Sequence, residues 1–177
     1  MKNIYILLIN SDTLISKVIR KTTNAEFTHA SISFSEDVFP CYSFGRKYAK
    51  LMFPSGMKQE QLHSGFLKHN QKIPCGLYKL EVTDEQYNTA CEYVENMFKN
   101  KKNHKFNLVG LVTCKFGIPL KRKNKMFCSE FVASTLKECG AVDFENPSLI
   151  QPVDLMEIAG IECLHKGTIN TLASYIS

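Results

Sequence analysis

Cys128 opens the segment Phe127-Cys128-Ser129-Glu130-Phe131-Val132, and His29 lies within Thr28-His29-Ala30-Ser31. A thiol in the first turn of a helix faces unsatisfied backbone N–H groups and the positive end of the helix dipole, and both favour the thiolate. Lys121, Arg122, Lys123 and Lys125, just upstream, push in the same direction. An imidazole beside such a thiol accepts its proton and later returns it to a leaving group. Taken singly, the two residues have plainer readings: a free Cys is most often a small buried hydrophobe, and a strand His is most often a hydrogen-bonded structural residue. What matters is whether the chain positions them together.

The hydrophobic pattern puts each on a regular element. Ala30, Ile32 and Phe34 alternate with His29, Ser31 and Ser33, which predicts a strand with His29 on its polar face. Pro40 to Phe44 reads as its hairpin partner across the turn-like Ser35-Glu36-Asp37. Cys128, Phe131, Val132, Leu136 and Cys139 form one stripe of a helix over 126–139 that Gly140 stops. Ile4 to Ile9 is a continuous apolar run, as for a strand buried on both faces. Ser11 or Asp12 then offers an N-cap to a short helix carrying Leu14, Ile15, Val18 and Ile19. Leu77 to Val82 reads as a strand, and Thr83 to Gln86 as the capping box of a long helix striped by Tyr87, Cys91, Val94 and Phe98. Phe106 to Phe116 reads as a further helix closed by Gly117 and Pro119. Pro152 starts a short one, and Ile161–Leu164 and Ile169–Leu172 read as terminal strands. Between Gly45 and Gly76 the periodicity dissolves, which predicts an irregular loop or lid over 45–76.

Composition bounds the function classes. The 177 residues, 44% hydrophobic and 22% charged, suffice for one globular domain with its own core. The net charge of +5 is concentrated in the runs Lys99 to Lys105 and Lys121 to Lys125, which suits an anionic ligand or lipid surface. It lacks Trp and any interleaving of basic with aromatic residues, so no nucleic-acid partner is expected. Seven Cys without a CxxC give neither a disulfide framework nor a zinc site. His63 and His69 with Cys41 and Cys75 match no common metal spacing, and no glycine-rich phosphate loop is present, so neither metal nor cofactor is expected. The run Ile4–Ile9 is too short for a signal h-region and no stretch reaches the length of a membrane span, so the reading is a cytoplasmic protein without a transmembrane segment.

FTHASISF (27–34) and FCSEFVAS (127–134), in that order, resemble the circularly permuted NlpC/P60 cysteine hydrolases of the papain-like superfamily. The resemblance runs over roughly residues 3 to 155, through FNLVGLV (106–112) before the Cys and Pro-Val-Asp-Leu (152–155) after it. It implies an α+β fold in which a small antiparallel sheet packs against helices, with Cys128 as nucleophile and His29 as base. The third position of such a site, a polar residue on the strand after the His, falls on Ser43. Relatives carry His, Glu, Asn or Gln there. A Ser can accept the imidazole N–H but cannot stabilise imidazolium as a carboxylate does. Glu36 is the nearest carboxylate, though it sits in a turn. The backbone N–H of Cys128 would serve the oxyanion. The segment 45–76 would border the cleft, with Arg46, His63 and His69 as substrate contacts.

The implied function is a thiol-dependent hydrolase of the amidase or peptidase kind, acting on an amide, peptide or ester bond of a peptide or acyl-bearing small substrate through a thioester. Two alternatives remain open: a lecithin:retinol acyltransferase-like acyl transferase or phospholipase, which shares the permuted order, and a non-catalytic binding module on the same fold. Limited iodoacetamide labelling at neutral pH with peptide mapping is expected to modify Cys128 ahead of Cys41 and Cys75. An inert Cys128 would remove the catalytic reading.

Overall fold

The computed structural model describes residues 1–10, 26–46 and 55–176. The short helix expected after Ser11 lies outside these residues. The fold is α+β and is organised by one eight-stranded sheet in the order β7-β6-β4-β3-β2-β1-β5-β8. The strands are β1 (Lys2–Ile9), β2 (His29–Ser33), β3 (Cys41–Arg46), β4 (Ser55–Glu60), β5 (Pro74–Val82), β6 (Lys105–Phe106), β7 (Lys125–Met126) and β8 (Ile161–Thr168). Helices α1 (Gly65–His69), α2 (Asp84–Lys99), α3 (Leu108–Cys114), α4 (Cys128–Glu138) and α5 (Ile169–Tyr175) complete it, with 3₁₀ turns at Pro147–Leu149 and Pro152–Glu157. Neighbouring strands run antiparallel except β6 and β7, which are parallel.

The continuous apolar run of β1 has the cause expected of it: both faces are covered. Ile4, Ile6 and Leu8 join a core with Ile32, Phe44, Val94, Phe131, Val132 and Leu136, under α2 and α4. Tyr5, Leu7 and Ile9 join a second core with Leu67, Leu77, Ile169 and Leu172, under α1 and α5. The sheet is thus covered by helices on two sides and is larger than the small sheet expected from sequence.

Four local expectations are corrected. The segment 45–76 is not one irregular stretch: it contains β4, paired along its length with β3, and α1. The alternation of β4 is hidden because both of its faces are partly buried, Met57 on one and Gly56 with Glu60 on the other, and neither Gly nor Glu reads as apolar. The helix expected from Phe106 begins at Leu108, because the Asn107 side chain accepts the Gly110 N–H and caps it while Lys105 and Phe106 pair with β7. Met126 likewise belongs to a strand, and α4 begins at Cys128. Ile169–Leu172 is helical: the Thr168 hydroxyl accepts the Thr171 N–H, and Ile169 and Leu172 bury one helical face. The Thr83–Gln86 capping box is formed as expected.

No helix among the described residues is long and apolar enough to cross a membrane. Phe44, fully buried, rests its ring on Phe131 with centroids 5.2 Å apart and so ties β3 to α4. Phe44→Ala is expected to cost about 3–5 kcal/mol of stability, read as a lowered urea midpoint, because the rigid sheet cannot close over the void.

Candidate active site

The site forms where β2 and β3 part. The two strands pair at Ile32↔Tyr42. Two residues back along β2, the Ala30 carbonyl is taken instead by the Ser43 hydroxyl at 2.6 Å. The Ala30 N–H faces the Cys128 sulfur and helps to stabilise its thiolate. Backbone groups that a closed ladder would use thus face two side chains. The thiol at the start of α4 reaches this opening beside the His29 imidazole, and each group shifts the titration of the other. The structure therefore brings Cys128, His29 and Ser43 together, as the sequence reading groups them.

Behind the imidazole stands a residue the sequence reading missed. Glu60, at the end of β4, puts Oε2 3.3 Å from His29 Nε2 and 2.8 Å from the Ser31 hydroxyl, which donates to it. Its other oxygen, Oε1, accepts from Lys58 Nζ at 2.7 Å. Glu60 is only 7% exposed and Ser31 and Ser43 are fully buried. The charged partner expected to be lacking at Ser43 is thus supplied from the next strand, and Glu36 is not used. One signal was available, since Ser31 follows His29 at the two-residue period of a strand and marks a polar face needing partners. Lys58 and Glu60 share that period too, but in a segment otherwise reading as loop.

This network fixes the imidazole tautomer. The Ser43 hydroxyl spends its proton on Ala30, so toward His29 Nε2, 3.2 Å away, it can only accept. Ionised Glu60 is acceptor-only as well. Nε2 must therefore carry a hydrogen, which leaves Nδ1 for the thiol proton.

The electrostatics follow the geometry. Burial alone would keep Glu60 protonated, but Lys58 and His29 reverse this and hold it well below the ordinary carboxylate range. Burial favours neutral His29, yet Glu60 and the Cys128 sulfur outweigh it and raise the imidazole to about 9. Burial would raise the Cys128 thiol, but His29 and the N–H groups of Ala30 and Ser129 bring it below the ordinary thiol value. Cys41, Cys75, Cys91, Cys114 and Cys139 all move upward, mainly from burial. The groups lowering the thiol are thus local. Of the basic run expected to act on it, Lys121 acts instead on Glu130, which burial pushes up to about 7. Glu130 accepts the Phe127 N–H at 3.2 Å and orders the first turn of α4.

Cys128 opens onto a cleft walled by Leu111 and Cys114 of α3 with Lys115 just past its end, by Thr28, and by Gln151 and Pro152. His63 and His69 do not line it; they are exposed, before and at the end of α1, which packs on the second core. Arg46 ends β3, and its side chain lies outside the described residues. Among the described residues no three His, Cys, Asp or Glu side chains converge as metal ligands. No protein-family model and no curated protein sequence matches this chain.

A pH-dependent alkylation series reads these couplings. Removing the imidazolium in His29→Ala is expected to raise the apparent thiol pKa of Cys128, since burial then acts almost alone. In Glu60→Gln the imidazolium loses its counter-charge, so His29 deprotonates roughly 1–3 units lower and the reactive ion pair is lost at a correspondingly lower pH. An unchanged alkaline limb in Glu60→Gln would show that the carboxylate does not act on His29.

Proposed function

We propose that this chain is a thiol-dependent acyl hydrolase or acyl transferase of the circularly permuted NlpC/P60, papain-like type. The observation that carries the reading is the placement of the Cys128 sulfur, at a helix start, beside an imidazole whose far nitrogen is held by Ser43 and the buried Glu60. The strand-His before helix-Cys order and the α+β architecture agree with it.

In this mechanism Cys128 gives its proton to His29 Nδ1, and the thiolate attacks a carbonyl carbon, with the backbone N–H of Cys128 facing the oxyanion. The first-turn N–H groups of α4 precede any helical carbonyl that could accept them, which leaves this donor available. Gln151, in the same cleft wall, is the neutral side chain suited to a second donor. The tetrahedral intermediate collapses as imidazolium protonates the leaving amine or alcohol. A thioester remains on Cys128. Water, or a second acceptor, then loses a proton to His29 as it attacks the thioester, and the released thiolate completes the cycle. Glu60 remains ionised throughout and stabilises the imidazolium of both half-reactions.

The substrate is a peptide or acyl-bearing small molecule entering along α3. All seven cysteines are free, which fits the reducing cytoplasm. The buried carboxylate behind His29 supports a catalytic over a non-catalytic reading, because it supplies the counter-charge that Ser43 cannot.

Incubation with p-nitrophenyl butyrate followed by intact-mass and peptide analysis tests the proposal. A burst of nitrophenolate with one butyryl group on the Cys128 peptide is expected, absent in Cys128→Ala. His29→Ala should lose about 10²–10⁴ in rate. Ser43→Ala should lose less than about tenfold, since it removes one neutral hydrogen bond of ~1 kcal/mol while Glu60 remains. Acylation elsewhere, or turnover surviving in Cys128→Ala, would reject it.

A further inference from the structure

The outer side of the cleft wall carries a surface with no internal role. Among the described residues the exposed large hydrophobic side chains are Met1, Tyr175 and four clustered in sequence: Val109, Val112, Phe116 and Ile118. Val109 and Val112 are one helical step apart on α3. Phe116, 74% exposed, and Ile118, 56% exposed, sit in the turn that ends the helix. That turn is a Schellman motif: the Ile118 N–H bonds the Thr113 carbonyl, the Gly117 N–H bonds that of Cys114, and Gly117 takes φ +68°. In such a turn the residue at the Ile118 position commonly packs back on the helix, against the position held here by Thr113. Thr113 offers it little apolar surface, and Ile118 points out.

Cations surround this apolar knob. Between 99 and 125 the chain has nine Lys and Arg and no Asp or Glu. The β6–β7 pairing sets Lys105 beside Lys125, so the two basic runs, distant in sequence, meet at one sheet edge. Asn107 binds the basic loop to α3, since its side chain caps the helix and donates to the Leu120 carbonyl at 3.2 Å. Lys121, Arg122 and Lys123 are exposed, and among the described residues none of the three forms an ion pair with a carboxylate.

We propose that this lobe, α3 with the turn at 115–118 and the basic loop at 121–125, docks on an anionic lipid bilayer. Phe116 and Ile118 enter the headgroup boundary while the cations meet lipid phosphate and carboxylate groups. Charge selects an anionic partner. Protruding aliphatic and aromatic tips, without a stacking platform, select a bilayer over a nucleic acid. Because Leu111, Cys114 and Lys115 of the same lobe wall the cleft, docking brings the opening beside Cys128 toward the membrane. The proposal does not rest on the reaction assigned above.

Sedimentation with vesicles of seven parts phosphatidylcholine to three parts phosphatidylserine tests it, using Cys128→Ala to exclude turnover. Binding is expected to the anionic vesicles, at least about tenfold weaker to phosphatidylcholine alone. Replacing Lys121, Arg122 and Lys123 together by Gln should weaken it roughly a hundredfold, at about fivefold per cation. The double variant Phe116→Asp and Ile118→Asp should abolish sedimentation with an unchanged circular dichroism spectrum. Absence of binding, or binding undiminished in the double variant, would overturn the proposal. So would a concentration-dependent dimer in sedimentation velocity that the double variant dissolves, because the surface would then belong to a second copy of the chain. Loss of esterase activity with vesicle binding intact would instead strike the acyl-transfer reading alone.

Discussion

The site depends on one buried carboxylate. Glu60 brings a negative charge into the sheet, and that is tolerable only because Lys58, Ser31 and His29 all meet it. The arrangement is reciprocal: the carboxylate keeps His29 cationic, and the cations keep Glu60 ionised. Removing Glu60, Lys58 or His29 leaves another charge without its partner, a situation that typically costs about 3–5 kcal/mol in a buried pair. The β3–β4 register therefore carries chemical information. A slip of one residue would turn Glu60 to the opposite face and take the counter-charge away from the imidazole.

The second constraint is the departure of β2 from β3. In a closed ladder Ala30 would bond backbone to backbone, and a side chain from α4 could not enter. Here the Ser43 hydroxyl answers the Ala30 carbonyl, and the Cys128 sulfur lies against the Ala30 N–H. The opening also explains why Ser43 is a serine. A short hydroxyl can answer Ala30 and His29 at once, whereas a longer acid at this place would compete with Glu60 for one small volume.

Much of the fold was legible because it rests on local rules. The apolar run of β1, the alternation of β2, the capping box of α2 and the stripe of α4 each declare themselves within a dozen residues. Cys128 and His29 were legible for the same reason: a helix start and a strand face are local features. Glu60 was not. Its value comes from pairing β4 with β3, a tertiary fact, and a buried Glu beside an accessible Gln59 reads as a solvated loop in a single sequence. Ile169–Leu172 failed differently, since four residues cannot separate a strand from a helix by periodicity, and the Thr168 cap decided it.

The strand order has a bearing on how the molecule is made. β1, β2, β3 and β4 are neighbours in space in the order in which they are synthesised. The imidazole, the two serines, the ammonium and the carboxylate all belong to this first part of the chain, and residues 29 to 60 leave the ribosome well before residue 128 exists. The charges can therefore find one another within a four-stranded meander. The sulfur arrives last, on a helix that also brings Phe131, Val132 and Leu136 to seal the waiting apolar face. Nucleophile and core are closed by a single docking event, so a nascent chain lacking its final third would hold a finished base and no thiol to activate.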